Sequence, residues 1–190
     1  MDRRGKIIVI VAPSGTGKST LITKLMVDFP LLEESVSCTT RKMRPGEQDG
    51  VNYHFISKKD FLEKKESKDF IEWAVVHSNY YGTSKSFVEE KLNSGVNLLF
   101  DLDVQGAENF KQLFKGEANI IFLEPPSIDE LEKRLLNRGT EKTAIINERI
   151  SNARNELCKK NNFDFLVLND DLDRAYTELK NIFSKIISND

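Results

Sequence analysis

The sequence predicts an α/β fold in which a parallel sheet carries helices on both faces. Two observations support this fold class: predicted strands and helices alternate along the chain, and the strands are continuous apolar runs. Such runs are typical of strands buried on both faces, and the alternation is typical of a parallel core. With 190 residues, of which 39% are hydrophobic, the chain suits one core with a small insertion.

The first predicted unit is a strand, a loop and a helix. Ile7–Val11 is a solid β-branched run, residues 12–17 form a turn rich in small residues, and apolar residues then recur at helical spacing over 21–26. Pro30 lies beyond the predicted end of this helix. The chain therefore opens as a buried strand that leads through a tight loop into a helix.

Residues 35–84 have a different pattern, which predicts a mostly β insertion with one helix. Short strands are predicted at residues 35–39, 51–56 and Phe70–Val76. Ser57 and Asp60 have the spacing of a capping box, which predicts a helix that begins near Phe61.

The parallel-sheet pattern then resumes towards the C-terminus. Strands are predicted at residues 96–101, 119–123 and Phe165–Leu168, the last of them buried. Ser127 and Glu130 form a second capping box before a helix. Residues 137–147 are polar and predict a loop, and a further helix follows to residue 160. Apolar residues at helical spacing from 172 to 187 predict an amphipathic terminal helix.

Charge and terminal composition limit the expected partners and compartment. The 28 basic and 30 acidic side chains give a net charge of −2, whereas a nucleic-acid-binding surface usually shows a basic excess, so no nucleic-acid partner is expected. The N-terminal apolar run is too short for a secretory leader, and no run approaches the ~20 apolar residues of a membrane span. We therefore expect a cytoplasmic protein without a membrane partner, in which Cys38 and Cys158 are reduced thiols.

The strongest motif lies between the first strand and the first helix. Residues 12–19 match the phosphate-loop pattern G-x-x-x-x-G-K-[ST], except that Ala12 replaces the first glycine. Gly15 and Gly17 allow the backbone to curl so that its N–H groups and the start of the helix face phosphate oxygens. The residues predicted to bind the ATP phosphates are Ala12, Pro13, Ser14, Gly15, Thr16, Gly17, Lys18, Ser19 and Thr20.

Lys18, Ser19 and Asp101 are the residues that point to phosphoryl transfer. In a phosphate loop the lysine reaches the β and γ phosphates, and the hydroxyl of the next residue binds the Mg²⁺ that accompanies ATP. Asp101 ends a hydrophobic strand, at the sheet edge that faces the ligand crevice, and is the second predicted metal ligand. A strand-end aspartate can also cap a helix, but its pairing with a phosphate loop favours the metal role.

A phosphate loop alone does not name a function, because GTPases, ATPases and small-molecule kinases all carry one. GTPases usually contain an Asn-Lys-x-Asp motif that reads the base. The sequence contains no such motif, which disfavours a GTPase.

A series of further runs follows the phosphate loop in order, and together they resemble the guanylate kinase family. They lie at residues 37–41, 44–47, 50–55, 70–74, 79–83, 101–106, 125–127, 134–140 and 169–172. The resemblance implies a P-loop NTPase-type core at residues 1–34 and 85–190, a small lid at about 137–149, and a β-rich GMP-binding insertion at 35–84. It also implies transfer of the γ-phosphoryl group of ATP to GMP, with Mg²⁺ as cofactor, by a monomer or homodimer, and leaves open whether dGMP is a further acceptor.

The resemblance assigns roles to individual residues. The GMP-binding residues it implies are Ser37, Arg41, Arg44, Tyr53, Glu72, Tyr81, Thr83 and Asp103. Among these, Glu72, Thr83 and Asp103 would read guanine, since carboxylates accept from the N1–H and N2 amino group and a hydroxyl donates to O6. The catalytic residues it implies are Lys18, Arg134, Arg138 and Arg149, whose charges would stabilise the transferring phosphoryl group.

Several alternatives stay open at this point. Another nucleoside or metabolite kinase could use the same core, and a related module that binds protein without catalysis would retain the fold. Glu72 could be a surface charge on a strand, and Arg44 a solvated side chain in a Pro-Gly turn. Only one of Tyr80 and Tyr81 is expected to face the phosphate.

Overall fold

The computed structural model describes residues 4–76, 78–137 and 143–188. In chain order the elements are β1 (Ile7–Val11), α1 (Lys18–Asp28), β2 (Leu32–Glu34), β3 (Cys38–Thr39), β4 (His54–Phe55), α2 (Lys58–Glu66), β5 (Phe70–Val76), β6 (Asn79–Ser84), α3 (Lys85–Asn93), β7 (Asn97–Leu102), α4 (Val104–Leu113), β8 (Ala118–Glu124), α5 (Ile128–Asn137), α6 (Thr143–Leu157), a short 3₁₀ helix (Lys160–Asn162), β9 (Phe165–Leu168) and α7 (Leu172–Ser188).

Five parallel strands form the main sheet, in the order β2-β7-β1-β8-β9. β1 lies in the centre, paired with β7 and β8, and all five of its residues are buried. This confirms the parallel core that the continuous apolar runs predicted. The carboxyl ends of β1, β7 and β8 meet at one edge of the sheet, where ligands bind in folds of this class.

Helices cover both faces of the main sheet, and alternate residues of β1 serve two separate cores. On one face, α1 and α7 pack through side chains that include Leu25 and Phe183. On the other face, α3 and α4 pack through side chains that include Leu92 and Phe110. The predicted α/β class with helices on both faces is therefore confirmed.

A second sheet of four strands, in the order β4-β3-β6-β5, lies within residues 38–84. β5 and β6 pair antiparallel, and α2 packs against them. The Phe61 ring of α2 stacks on Phe70 at 4.3 Å and tilts against Tyr80 at 5.2 Å between centroids. The predicted cap of α2 is confirmed, since the Asp60 backbone N–H donates to Ser57 Oγ at 3.1 Å.

The two faces of β5 have different neighbours, because successive side chains of a strand point to opposite sides. Glu72 and Ala74 line a cavity towards the main sheet. Trp73, the only tryptophan of the chain, is 40% exposed, and Lys65 Nζ of α2 lies 3.7 Å from the centroid of its ring. Trp73 is thus attached to the second sheet and to α2.

The prediction of a loop over residues 137–147 was wrong for residues 143–147, which are helical. α6 begins at Thr143, and residues 138–142 lie outside the described residues. Ile146, Ile150 and Ala153 form the buried face of α6. The polar residues between them obscured this apolar spacing in the sequence.

Other predictions about the elements were incomplete. The strand Phe165–Leu168 exists, but Leu166 and Leu168 are each 38% exposed, because β9 is at the edge of the sheet and not in its interior. The elements β2, β6, α3 and α4 were not predicted. Cys38 and Cys158 are both free, as predicted. Among the described residues, none of the helices combines the length and the apolar content that crossing a membrane requires.

Candidate active site

The phosphate loop lies at the carboxyl edge of the main sheet. Residues 12–20 line one cleft of about 370 Å³, together with Asp101, Asp103 and Glu156. Gly15 and Gly17 have φ angles of 94° and 99°, in the left-handed region that favours glycine, so the loop can curl as the sequence predicts. All nine residues predicted to bind ATP phosphates are thus on the walls of the same cleft.

Lys18 lies at the base of this cleft. Its Nζ donates to the backbone oxygen of Leu102 at 2.8 Å and forms an ion pair with Asp101. Asp101 and Ser19, the two predicted metal ligands, line the cleft beside it. The cation of Lys18, the hydroxyl of Ser19 and the carboxylate of Asp101 therefore line the cleft where the phosphates of a nucleotide would enter.

The back of the loop is held by Asn169 and Arg134. Asn169 Nδ2 donates to the backbone oxygen of Thr16 at 2.6 Å, across 153 residues of sequence, and only 4% of Asn169 is exposed. Arg134 donates to the same Thr16 oxygen at 3.4 Å and to the Asn169 oxygen at 3.1 Å. A Cβ atom on Gly17 would lie 2.8 Å from Asn169 Nδ2. Packing and backbone conformation both require glycine at this position.

The predicted catalytic arginines are placed differently from one another. Arg149 of α6 donates to Ser14 Oγ of the phosphate loop at 2.5 Å. The hydrogen bonds of Arg134 go to the backbone behind the loop, as described above. Arg138 lies outside the described residues.

Glu156 is a carboxylate of the phosphate cleft that the sequence did not indicate. It lies seven residues after Arg149 on α6, and residues with this spacing share one face of a helix. Burial raises the pKa of Glu156 to about 7, with a further contribution from the nearby charge of Asp103. The spacing from Arg149 was the signal in the sequence that could have identified it.

A second cavity of about 330 Å³ lies between the two sheets. It is lined by Ser37, Tyr53, Glu72, Ala74, Tyr81, residues 101–103, Gln105, Gly106 and Asn109. Five of the eight residues predicted to bind GMP are in this lining. Gln105, Gly106 and Asn109 of α4 were not predicted, because α4 itself was not.

Hydrogen bonds link Glu72, Thr83 and Ser37 at one side of the second cavity. Thr83 Oγ1 donates to Glu72 Oε1 at 2.9 Å and lies 3.2 Å from Ser37 Oγ. Burial raises the pKa of Glu72, the Thr83 hydrogen bond opposes this, and the charge of Asp103 adds to it. Glu72 is therefore a half-buried carboxylate facing a cavity, and the alternative of a solvated strand charge does not describe it.

The arginines predicted to hold the phosphate of GMP differ in placement. The guanidinium of Arg41 lies 5.4 Å from the Tyr53 ring centroid, and the hydrogen bonds that it donates to Glu47 and, to a smaller extent, to Tyr81 raise its pKa. Arg44 is exposed, and its backbone N–H donates to Glu47 at 2.7 Å. Tyr81 lines the cavity, whereas Tyr80 packs on Phe61.

Asp101 and Asp103 connect the two cavities. Both residues line the phosphate cleft and also the second cavity. Asp103 Oδ1 additionally accepts from the Gly106 N–H at 2.7 Å and caps α4. The two cavities therefore meet at the carboxyl end of β7, so that a molecule that gives up a phosphoryl group in one cavity can meet the molecule that receives it in the other.

Comparisons with known proteins agree on one family. The family model described as "Guanylate kinase" matches residues 4–186. The curated protein named guanylate kinase from Hahella chejuensis is 45% identical over 180 residues, which is 95% of this chain and 86% of that protein. The one from Lawsonia intracellularis is 47% identical over 176 residues, which is 93% and 82% of the two chains. The crystal structure of guanylate kinase from Anaplasma phagocytophilum superposes with a TM-score of 0.75 at 28% identity and covers 98% of this chain and 88% of that one.

Proposed function

The chain belongs to the guanylate kinase family, and from this premise we propose how its two cavities carry out the transfer of the γ-phosphoryl group of ATP to GMP. The protein is a nucleoside monophosphate kinase, an ATP:GMP phosphotransferase. ATP would occupy the phosphate cleft and GMP the second cavity. The observation that carries this assignment is that Asp101 and Asp103 line both cavities, because in-line transfer requires the two substrates to meet end to end.

In the phosphate cleft, residues 12–20 would bind the phosphates of ATP, with Lys18 on the β and γ groups. Lys18 is paired with Asp101 in the structure. Phosphate oxygens offer Lys18 a new partner, and this exchange would release the Asp101 carboxylate. Arg134, Arg138 and Arg149 would add positive charge as the phosphoryl group transfers, Arg134 from its place against the loop backbone at Thr16.

Ser19 and Asp101 would hold the Mg²⁺ that accompanies ATP. Hydroxyl and carboxylate oxygens are the hard ligands that Mg²⁺ takes, and both residues line the phosphate cleft, so the donor set fits this ion. When bound, Mg²⁺ supplies neutralisation of the phosphate charge.

In the second cavity, Glu72, Thr83 and Asp103 would read the guanine base. Glu72 and Asp103 accept, and they suit the N1–H and N2 amino group that adenine lacks at this edge. Ser37, Arg41, Arg44, Tyr53 and Tyr81 would hold the phosphate of GMP, since guanidinium and hydroxyl groups donate to phosphate oxygens.

The reaction requires no covalent intermediate on the protein. The acceptor phosphate is already anionic at pH 7, so no strong general base is needed, and positioning with charge neutralisation would supply the acceleration. Closure of the lid and the insertion over the substrates would exclude water and limit ATP hydrolysis.

We also propose which residues form the core and the insertion, and in which compartment and oligomeric state the enzyme acts. Residues 1–34 and 85–190 would form the core with a lid at about 137–149, and residues 35–84 the GMP-binding insertion. We further propose that the enzyme acts in the cytoplasm as a monomer or homodimer, accepts dGMP, and has no nucleic-acid or membrane partner. The net charge of −2 supports the absence of nucleic-acid binding.

The test is a coupled assay of ADP release with MgATP and each of GMP, AMP, CMP and UMP. We expect fast release with GMP alone. Release with a different acceptor would retain the kinase and contradict the guanine-reading role of Glu72, Thr83 and Asp103. No release with any acceptor, from folded protein that binds GMP, would contradict catalysis.

A further inference from the structure

Glu47 forms a two-pronged ion pair with Arg41 beside the second cavity. Arg41 Nη2 donates to Glu47 Oε1 at 2.7 Å, and Arg41 Nη1 donates to Oε2 at 3.0 Å. The two side chains are only 13% and 18% exposed. A planar fork of this kind fixes the orientation of a guanidinium as well as its position.

The same carboxylate also orders the turn that carries Arg44. Glu47 Oε2 accepts from the Arg44 backbone N–H at 2.7 Å, and the Glu47 N–H donates to the Arg44 oxygen at 3.1 Å. Gly46, with a φ angle of 88°, completes this tight turn. One carboxylate thus connects the two arginines that are predicted to hold the GMP phosphate.

The Arg41 guanidinium also hydrogen-bonds to Tyr81, which lines the second cavity, so its remaining donors lie on the side where a ligand would enter. Nη1 uses its second hydrogen on the Lys42 backbone oxygen at 2.8 Å. The Nε–H and the remaining N–H of Nη2 lie side by side on the guanidinium and can take two oxygens of one phosphate that replaces the Tyr81 hydrogen bond. The rings of Tyr53 and Phe55 flank the group at 5.4 and 5.6 Å, so its direction is constrained on several sides.

We propose that Glu47 is a positioning residue for the phosphate of GMP: it holds Arg41 and the turn of Arg44 so that both guanidinium groups can bind that phosphate beside Tyr53 and Tyr81 of the second cavity. This rests on the proposed function, in which GMP occupies that cavity. The contribution of Glu47 is made through Arg41 and the turn, without contact with GMP.

The sign of the effect separates positioning from simple charge pairing. A carboxylate close to Arg41 repels a phosphate dianion. If Glu47 only neutralised Arg41, its removal would tighten GMP binding. If Glu47 positions Arg41, its removal weakens GMP binding in spite of the lost repulsion.

The test compares the binding of GMP and guanosine by calorimetry in wild type, Glu47→Ala and Glu47→Gln, with thermal melts of each. We expect Glu47→Ala to raise the Kd for GMP about 10-fold, with the Kd for guanosine within about twofold of wild type. Glu47→Gln keeps one acceptor oxygen, so its Kd for GMP should lie between those of wild type and Glu47→Ala. If Glu47→Ala does not fold, the Kd of Glu47→Gln tests the proposal in its place. Glu63→Ala is the matched control, since Glu63 pairs with Lys59 at 3.8 Å on an exposed surface of α2.

A double variant tests whether Glu47 acts through its partner. In an Arg41→Ala background, Glu47→Ala should change the Kd for GMP less than about threefold. Unchanged or tighter GMP binding in Glu47→Ala, a parallel loss for guanosine, or full additivity with Arg41→Ala would each overturn the proposal. A wild-type protein that binds AMP as tightly as GMP would instead contradict the proposed function, whatever the variants do.

Discussion

Replacement of Glu156 by glutamine should stabilise the protein in a way that depends on pH. Glu156 is half-buried in the phosphate cleft, and burial with the charge of Asp103 raises its pKa from 4.5 to about 7. A carboxyl group with a raised pKa holds its proton more tightly in the folded state than in the unfolded chain. Stability is therefore lost as pH rises from 4.5 to 7, and the full penalty persists above pH 7.

The size of the penalty follows from the shift. A change from 4.5 to about 7 corresponds to about 3.4 kcal/mol if one pKa unit is worth 1.36 kcal/mol. Because a substantial part of the carboxylate contacts water, screening reduces this to about 1–2 kcal/mol. Glu156→Gln should thus raise the free energy of unfolding by about 1–2 kcal/mol at pH 8 and by a few tenths at pH 5.

Equilibrium unfolding in urea at pH 5 and pH 8 measures this difference, without nucleotide present. Glu178→Gln, on an exposed position of α7, is the control and should change neither value. Equal stabilisation by Glu156→Gln at both pH values would show that the effect is not electrostatic. Destabilisation at pH 8 would refute the reasoning, because it would mean that the ionised carboxylate has a favourable partner.

Three further predictions concern the phosphate loop and the base pocket. Lys18→Met should lower kcat by about 10²-fold or more and leave GMP binding by calorimetry unchanged; turnover close to wild type would contradict the assignment of the loop. Glu72→Gln should reduce the preference for GMP over AMP in kcat/KM by about 10-fold or more, and unchanged selectivity would remove Glu72 from base reading. Gly17→Ala should lower the free energy of unfolding by more than the ~1–2 kcal/mol expected of Gly46→Ala, because both have positive φ but only Gly17 would meet Asn169, at 2.8 Å. Equal losses in urea unfolding would show that the contact relaxes.

Local signals in the sequence predicted the core of the fold. β1 was visible because all its residues are apolar and buried, and the caps at Ser57 and Ser127 were visible because a side chain bonds a backbone group three residues later. α6 was partly missed because its apolar face, with Ile146 and Ile150, is sparse among polar residues. α4 was missed because it contains Gly106, a poor helix former, and because Asp103, which caps it, was interpreted as a base-reading residue.

The composition of the site was predictable where the motif is contiguous and less so where distant residues meet. Residues 12–20 were identified together, whereas the hydrogen bond from Asn169 to Thr16 joins positions 153 residues apart and has no local signal. Glu156 enters the cleft because α6 packs across it, and its seven-residue spacing from Arg149 is a weak signal that does not reveal this packing. The roles of the individual site residues stay predictions that the experiments above address.

Because Glu72 and Trp73 are neighbours on β5 and point in opposite directions, the intrinsic fluorescence of Trp73 can report on binding in the base pocket. Since Trp73 is the only indole, all tryptophan emission comes from the outer face of the second sheet, under the ammonium group of Lys65. The phosphate loop, on the main sheet, contributes no emission of this kind. A change in Trp73 fluorescence when ATP is added alone would therefore show that ATP binding at the phosphate loop alters the surroundings of Trp73 on the second sheet. A change that requires GMP would assign the signal to the base pocket one residue away.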